Sequence, residues 1–193
     1  MPRPETGIFV AVDFETACED RASACSVGLA RVEGGRIVAR LERLIRPPSP
    51  HFSFSSIHGL TWKQVEGAPR FGSILPEIEA FTEGAAFLAA HNAPFDRSVW
   101  TAAAAAEGLV PTGLPFLCTV RLARRAFGIY PTTLPDVCRS LEIPLRHHQA
   151  ASDAEAAARI VLAVRRQRPD FARDAEALSI LGRSASATTS VVG

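Results

Sequence analysis

The apolar positions change rhythm several times along the chain, and each change marks an element. Residues 8–14, Ile-Phe-Val-Ala-Val-Asp-Phe, are a short β-branched and aromatic run, too brief for a helix, and read as a buried strand ending in acid. Residues 25–32 and 36–45 are two further strands separated by Glu33-Gly34-Gly35, a composition that turns antiparallel strands into a hairpin. An antiparallel meander is therefore expected first. Pro47, Pro48 and Pro50 break it, and the stretch to Gly67 has no clear period, so it reads as a structured loop region with short helical turns. Phe71, Ile74, Leu75, Ile78 and Phe81 recur at helical spacing and predict an amphipathic helix over 71–81. Residues 87–90 make a short strand. Pro94, suited to a first helical turn, then opens a helix through Phe95, Val99, Trp100 and a string of alanines to Gly108. Residues 116–127, 133–141 and 152–167 are three more helical segments. Strands first, then helices alternating with strand, predict an α/β class: a mixed sheet covered by helices.

A length of 193 residues suits one catalytic-sized domain, taken as 1–170, with an extension over 171–193 whose small, polar end (184–193) is expected to be disordered. The 47% apolar and 21% charged composition excludes fibrous and globally disordered classes. The net charge of +1 leaves no global electrostatic footprint of a nucleic-acid binder, so any phosphate-binding surface must be local. Cys18, Cys25, Cys118 and Cys138 have neither C-x-x-C nor zinc-finger spacing and are expected to be free thiols. With no signal-like start and no span of about 18 apolar residues, a soluble, cytoplasmic protein without membrane contact is expected. The abundance of Arg and Ala reads as a compositional bias of the source.

Asp13 and Glu15 lie two apart at the end of the first strand, so both carboxylates point to one face. Such a pair calls for a cation, and hard oxygen ligands favour Mg²⁺ or Mn²⁺. Asp96 follows the short strand at a helix start and has an ordinary reading as a dipole-complementing acid. Asp153 sits in Ser152-Asp153-Ala154-Glu155, which reads as a capping box, yet it projects on the core side with Ala157, Ile160 and Val164. A buried carboxylate there needs a metal or a partner. His148, in the loop before that helix, is placed to act as a base on a water beside bound metal. Arg121, Arg124 and Arg125 recur on one helix, either as a solvated face or as a basic stripe along a nucleic-acid backbone. Arg165, Arg166 and Arg168 read as surface cations complementing a helix end.

Taken together, Asp13-Phe14-Glu15-Thr16, His91-Asn92-Ala93-Pro94-Phe95-Asp96 and His148-Gln149-Ala150-Ala151-Ser152-Asp153-Ala154 resemble, in order and spacing, the three motifs of the DEDDh 3′–5′ exonuclease family. That family includes the proofreading epsilon subunit of bacterial DNA polymerase III and RNase T. The resemblance spans residues 8–164 and takes in Ile57-His58-Gly59. It implies a ribonuclease-H-like fold, with a mixed five-stranded sheet flanked by helices. It also implies two divalent cations, Mg²⁺ or Mn²⁺, held by Asp13, Glu15, Asp96 and Asp153, with His148 as general base and His147 as its neighbour. Thr16, His58 and Phe95 would touch the terminal nucleotides, although Phe95 has an equal reading as core packing. The implied reaction is release of 5′-mononucleotides from single-stranded 3′ ends of DNA or RNA, in proofreading or repair, with a DNA polymerase as the implied protein partner. An RNA-trimming oligoribonuclease and a catalytically silent nucleic-acid-binding module are the alternatives. Pro131-Thr132-Thr133-Leu134-Pro135 departs from the family pattern, where Lys or His often precedes the Leu.

Overall fold

The structure, a computed structural model, describes residues 7–111 and 113–172; the disorder expected for 184–193 lies outside the described residues. Strands β1 (Phe9–Thr16), β2 (Ala24–Glu33) and β3 (Arg36–Leu44) form the meander. Gly34 and Gly35 both have positive φ, at 54° and 77°, as a primed hairpin turn requires. Two single-turn helices, α1 (Ser55–His58) and α2 (Trp62–Val65), occupy the loop region, followed by α3 (Phe71–Thr82). Then come β4 (Leu88–Ala90), α4 (Ala93–Ala105), β5 (Phe116–Cys118), α5 (Thr119–Phe127), α6 (Leu134–Ser140) and α7 (Ala150–Gln167). The sheet order is β3-β2-β1-β4-β5, with β4 and β5 parallel to β1. This is the mixed five-stranded sheet that the sequence leads one to expect.

Alternation along β1 and β2 divides the core in two. Val10, Val12, Phe14, Val27 and Leu29 face α3 and α4, where Trp100 meets Phe14 and Phe71 edge-on at ring separations of 6.0 and 6.3 Å. Phe9, Ala11, Ala30 and Val32 face α5 and α7, packed on Ala157, Ala158, Val161 and Val164. Small side chains on both surfaces let α7 lie close to the sheet, so part of the alanine abundance serves packing. The closest approach is at Gly28, whose missing Cβ would stand 2.1 Å from the Ala150 carbonyl carbon.

Three expectations need correction. Residues 116–118 are strand, because pairing with Leu88–Ala90 decides their state; the helix begins at Thr119. Ser152 does not cap α7: the helix starts at Ala150 after Gln149, and the Ser152 hydroxyl accepts the Arg146 backbone N–H at 2.8 Å. Arg165 is buried, 6% exposed, with its guanidinium 4.7 Å from the Phe9 ring centroid and a hydrogen bond to the Gly7 carbonyl. Lining up on α7 with the core side, it packs on aromatic faces as a cation that also satisfies backbone. Ala172, just beyond the expected boundary at 170, is also buried in this core.

Candidate active site

The site forms where β1 outruns its parallel neighbour. β1 pairs with β4 only at Val10 and Ala11, so further along it the backbone on that side lacks a strand partner. Asn92, in the left-handed region at φ 78°, turns the chain from β4 directly into α4, a conformation Asn tolerates better than most residues. The first turn of α4 then carries Asp96 back to β1, where its Oδ1 accepts the Phe14 N–H at 3.1 Å. Asp96 is thus 1% exposed and fixed by backbone as well as by its helix.

Asp13 and Glu15 point to the opposite face of the sheet, toward α7. Asp13 is the register partner of Gly28, the residue on which the N-terminus of α7 rests. One turn into that helix, Asp153 meets the pair: carboxylate oxygens of Asp13, Glu15 and Asp153 all lie within 4.8 Å of one another. Asp153 Oδ2 accepts from His147 Nδ1 at 2.9 Å and from the His148 backbone N–H at 3.0 Å. Its Oδ1 is buried and has no hydrogen-bond partner.

The electrostatics show a site short of positive charge. Burial, then the fields of Asp96, Asp153 and Glu15, hold the Asp13 carboxyl well above the usual range. Burial and Asp153 push Glu15 to about 7. Asp96 and Asp153 are also raised, both mainly by burial. A buried polar atom without a partner costs roughly 1–3 kcal/mol, and more when charged. A divalent cation on Asp13, Glu15 and Asp153 removes that cost, and an all-oxygen donor set suits Mg²⁺ or Mn²⁺. The donor chemistry therefore fits the cation role expected from the sequence, with Asp96 beside it.

His148 holds φ 65° and stacks on His147 at a ring separation of 3.8 Å. Burial and the adjacent His147 lower its pKa, so its imidazole is neutral near pH 7. His147 itself touches Asp153 through its side chain, a contact that its role as a mere neighbour did not foretell. His58 accepts the Leu60 N–H on Nδ1 at 3.0 Å, which assigns its proton to Nε2 and the donated bond to the Thr16 carbonyl at 3.1 Å. With both nitrogens engaged, His58 offers a ring face. Thr16 is buried at 3% exposure and presents mainly backbone. Phe95 is half-buried against the core while the Arg21 guanidinium covers its ring at 4.4 Å. The 131–135 segment reaches the site's rim: the Thr132 carbonyl takes a hydrogen bond from His91 Nε2.

The RNase_T exonuclease family matches residues 10–161. The chain is 32% identical over 159 residues to a PolC-type DNA polymerase III of Thermotoga maritima, covering 80% of this chain and 12% of that one. A PolC-type polymerase of Halalkalibacterium halodurans gives 33% over 156 residues, covering 77% and 11%. The chain thus spans only about an eighth of these relatives. Among solved structures, exonuclease X in complex with 5′-overhanging duplex DNA superposes with a TM-score of 0.71 at 22% identity, covering 87% of this chain and 99% of that one. The nuclease domain of 3′hExo, a DEDDh member bound to rAMP, gives 0.73 at 15% identity, with 85% and 94% covered. Both share the fold described here.

Proposed function

The chain belongs to the RNase_T exonuclease family, of the DEDDh 3′–5′ type, and from that premise we propose that it hydrolyses single-stranded DNA from the 3′ end, releasing 5′-mononucleotides. The observation that carries this reading is the convergence of Asp13, Glu15 and Asp153, with a buried Asp153 oxygen left without a partner. DNA is favoured over RNA by the similarity to polymerase chains. The same similarity supports action beside a DNA polymerase in proofreading or repair.

Asp13, Glu15, Asp96 and Asp153 hold two divalent cations in this reading. When bound, those cations supply charge neutralisation at the scissile phosphate and at the leaving oxygen. The chain's own residues do the rest. The neutral His148 imidazole accepts a proton from the attacking water as the water oxygen bonds to phosphorus. The P–O3′ bond breaks, and the departing 3′-oxygen takes up a proton from solvent. The His148 backbone N–H and His147 hold the Asp153 carboxylate in place. Phe95 can take the terminal base only when the Arg21 guanidinium over its ring swings aside, and the stacking then formed is worth about 1–3 kcal/mol and tolerates any sequence. Thr16 and His58 border the terminal nucleotide through backbone and ring face.

The test uses 5′-labelled single-stranded DNA and RNA of matched sequence with Mg²⁺ or Mn²⁺. A ladder that shortens from the 3′ end, faster on DNA and abolished by chelator and by Asp13→Ala, is expected. Intact label on both polymers, with folded and cation-loaded protein, overturns the reading.

A further inference from the structure

Beside the acids, on the other flank of α4, lies a groove of about 790 Å³ between α4, β5 and the start of α5. Arg21, Arg97 and Arg121 line it, together with Ser98 and Thr101, and no carboxylate does. The nearby acids are turned to other tasks: Asp20 caps the Ala22 N–H and Glu19 accepts from Ser53. All three arginines are exposed, and among the described residues Arg97 and Arg121 have no acidic partner. In a chain of net charge +1 this is a local concentration of cations. The groove joins the site directly, because Arg21 covers the ring of Phe95, the residue before Asp96. From Arg97 to Ala105 the helix carries it for about 12 Å.

Arginines 121, 124 and 125 do not form one stripe. Arg124 is bound to Thr132 and lies over Tyr130, and Arg125 lies over Phe171, which leaves Arg121 to the groove.

We propose that this groove holds the phosphodiester backbone of the substrate strand on the 5′ side of its terminal nucleotides, with Arg97 and Arg121 as phosphate partners. The inference rests on the exonuclease reading above and adds a length preference to it: strands long enough to fill the groove bind more tightly than those that fill only the acidic site. Each phosphate contact on a single strand contributes about 0.7 to the slope of log affinity against log salt. Two lost contacts lower the slope by about 1.4 and weaken binding about 25-fold at 0.1 M salt.

The experiment measures fluorescence anisotropy of a labelled strand of about twelve nucleotides across a salt series, and hydrolysis of a trinucleotide, for wild type, R97A/R121A and R97K/R121K. The alanine pair should lose affinity and slope by the amounts given while cleaving the trinucleotide at the wild-type rate, and the lysine pair should recover both. Unchanged affinity and slope in the alanine pair, with wild-type melting temperature, overturns the proposal. Wild-type protein that leaves both the trinucleotide and the twelve-nucleotide strand intact would instead overturn the exonuclease reading, while anisotropy still reports on the groove.

Discussion

Replacing Gly28 by alanine adds one methyl group, yet it should disable the site. The new Cβ would stand 2.1 Å from the Ala150 carbonyl carbon, 2.2 Å from its oxygen and 2.3 Å from the Ala151 nitrogen. All three are backbone atoms, so no rotamer change relieves the clash. Ordinary contact begins near 3.4 Å, and the N-terminus of α7 must therefore lift from β2 by more than 1 Å. Asp153, one turn along the helix, moves with it and away from Asp13, the register partner of Gly28. A misplacement of about 1 Å in a catalytic constellation can cost about 10²-fold in rate. Overpacking adds about 1–3 kcal/mol of destabilisation, or roughly 2–12 °C in Tm for a chain of this size. Single-turnover hydrolysis of a labelled strand at saturating cation, paired with a thermal melt, measures both. Gly67→Ala is the control, since its Cβ meets nothing within 4 Å. If Gly28→Ala keeps wild-type rate and Tm alongside that control, the close approach of α7 to β2 does not position Asp153.

His148→Gln should lower kcat by about 10²–10⁴-fold with cation affinity retained, whereas His147→Ala should spare most of kcat and weaken cation binding; pre-steady-state kinetics with a Mn²⁺ titration separates them. In chelator, the raised carboxyls bind protons more tightly in the folded chain than in the unfolded one. Their contribution is intact below about pH 4.5 and is lost as pH rises, for Glu15 through about 7. At about 1.4 kcal/mol per tenfold in proton affinity, and discounted for partial solvation, Glu15 alone contributes a fall of roughly 2–3 kcal/mol by pH 8. Melts should show that fall without cation and its removal with saturating Mg²⁺; a flat chelator profile refutes it. Trp100→Ala should cost about 3–5 kcal/mol in denaturant unfolding, because the indole is 2% exposed within its aromatic cluster.

The elements with long, regular patterns were legible in the sequence. The short β-branched and aromatic run of residues 8–14 gave β1, the two-residue spacing of Asp13 and Glu15 on a strand gave their common face, and helical spacing gave α3 and the core side of α7. What escaped depends on tertiary contact. Phe116–Cys118 becomes strand only by pairing with β4, and its apolar residues merge with the helix that follows. Ser152-Asp153-Ala154-Glu155 matched a cap signature, but Ser152 is drawn to Arg146 and the helix begins two residues earlier. Gly28 carried no signal, since an isolated glycine in a strand has many uses. Its spacing from Asp13 matters only once the register is known. The groove on α4 was invisible for the same reason: Arg21, Arg97 and Arg121 are distant in sequence and only the fold gathers them.

Asp153 belongs to two possible ligand sets, one with Asp13 and Glu15 and another with His147 and His148. The most direct test of the account is a crystal of the protein soaked in Mn²⁺, with the ion located by anomalous scattering. A peak within ligand distance of the Asp13, Glu15 and Asp153 carboxylates is the predicted result. A peak on His147, His148 and Asp153 with the Asp13–Glu15 face empty would contradict it.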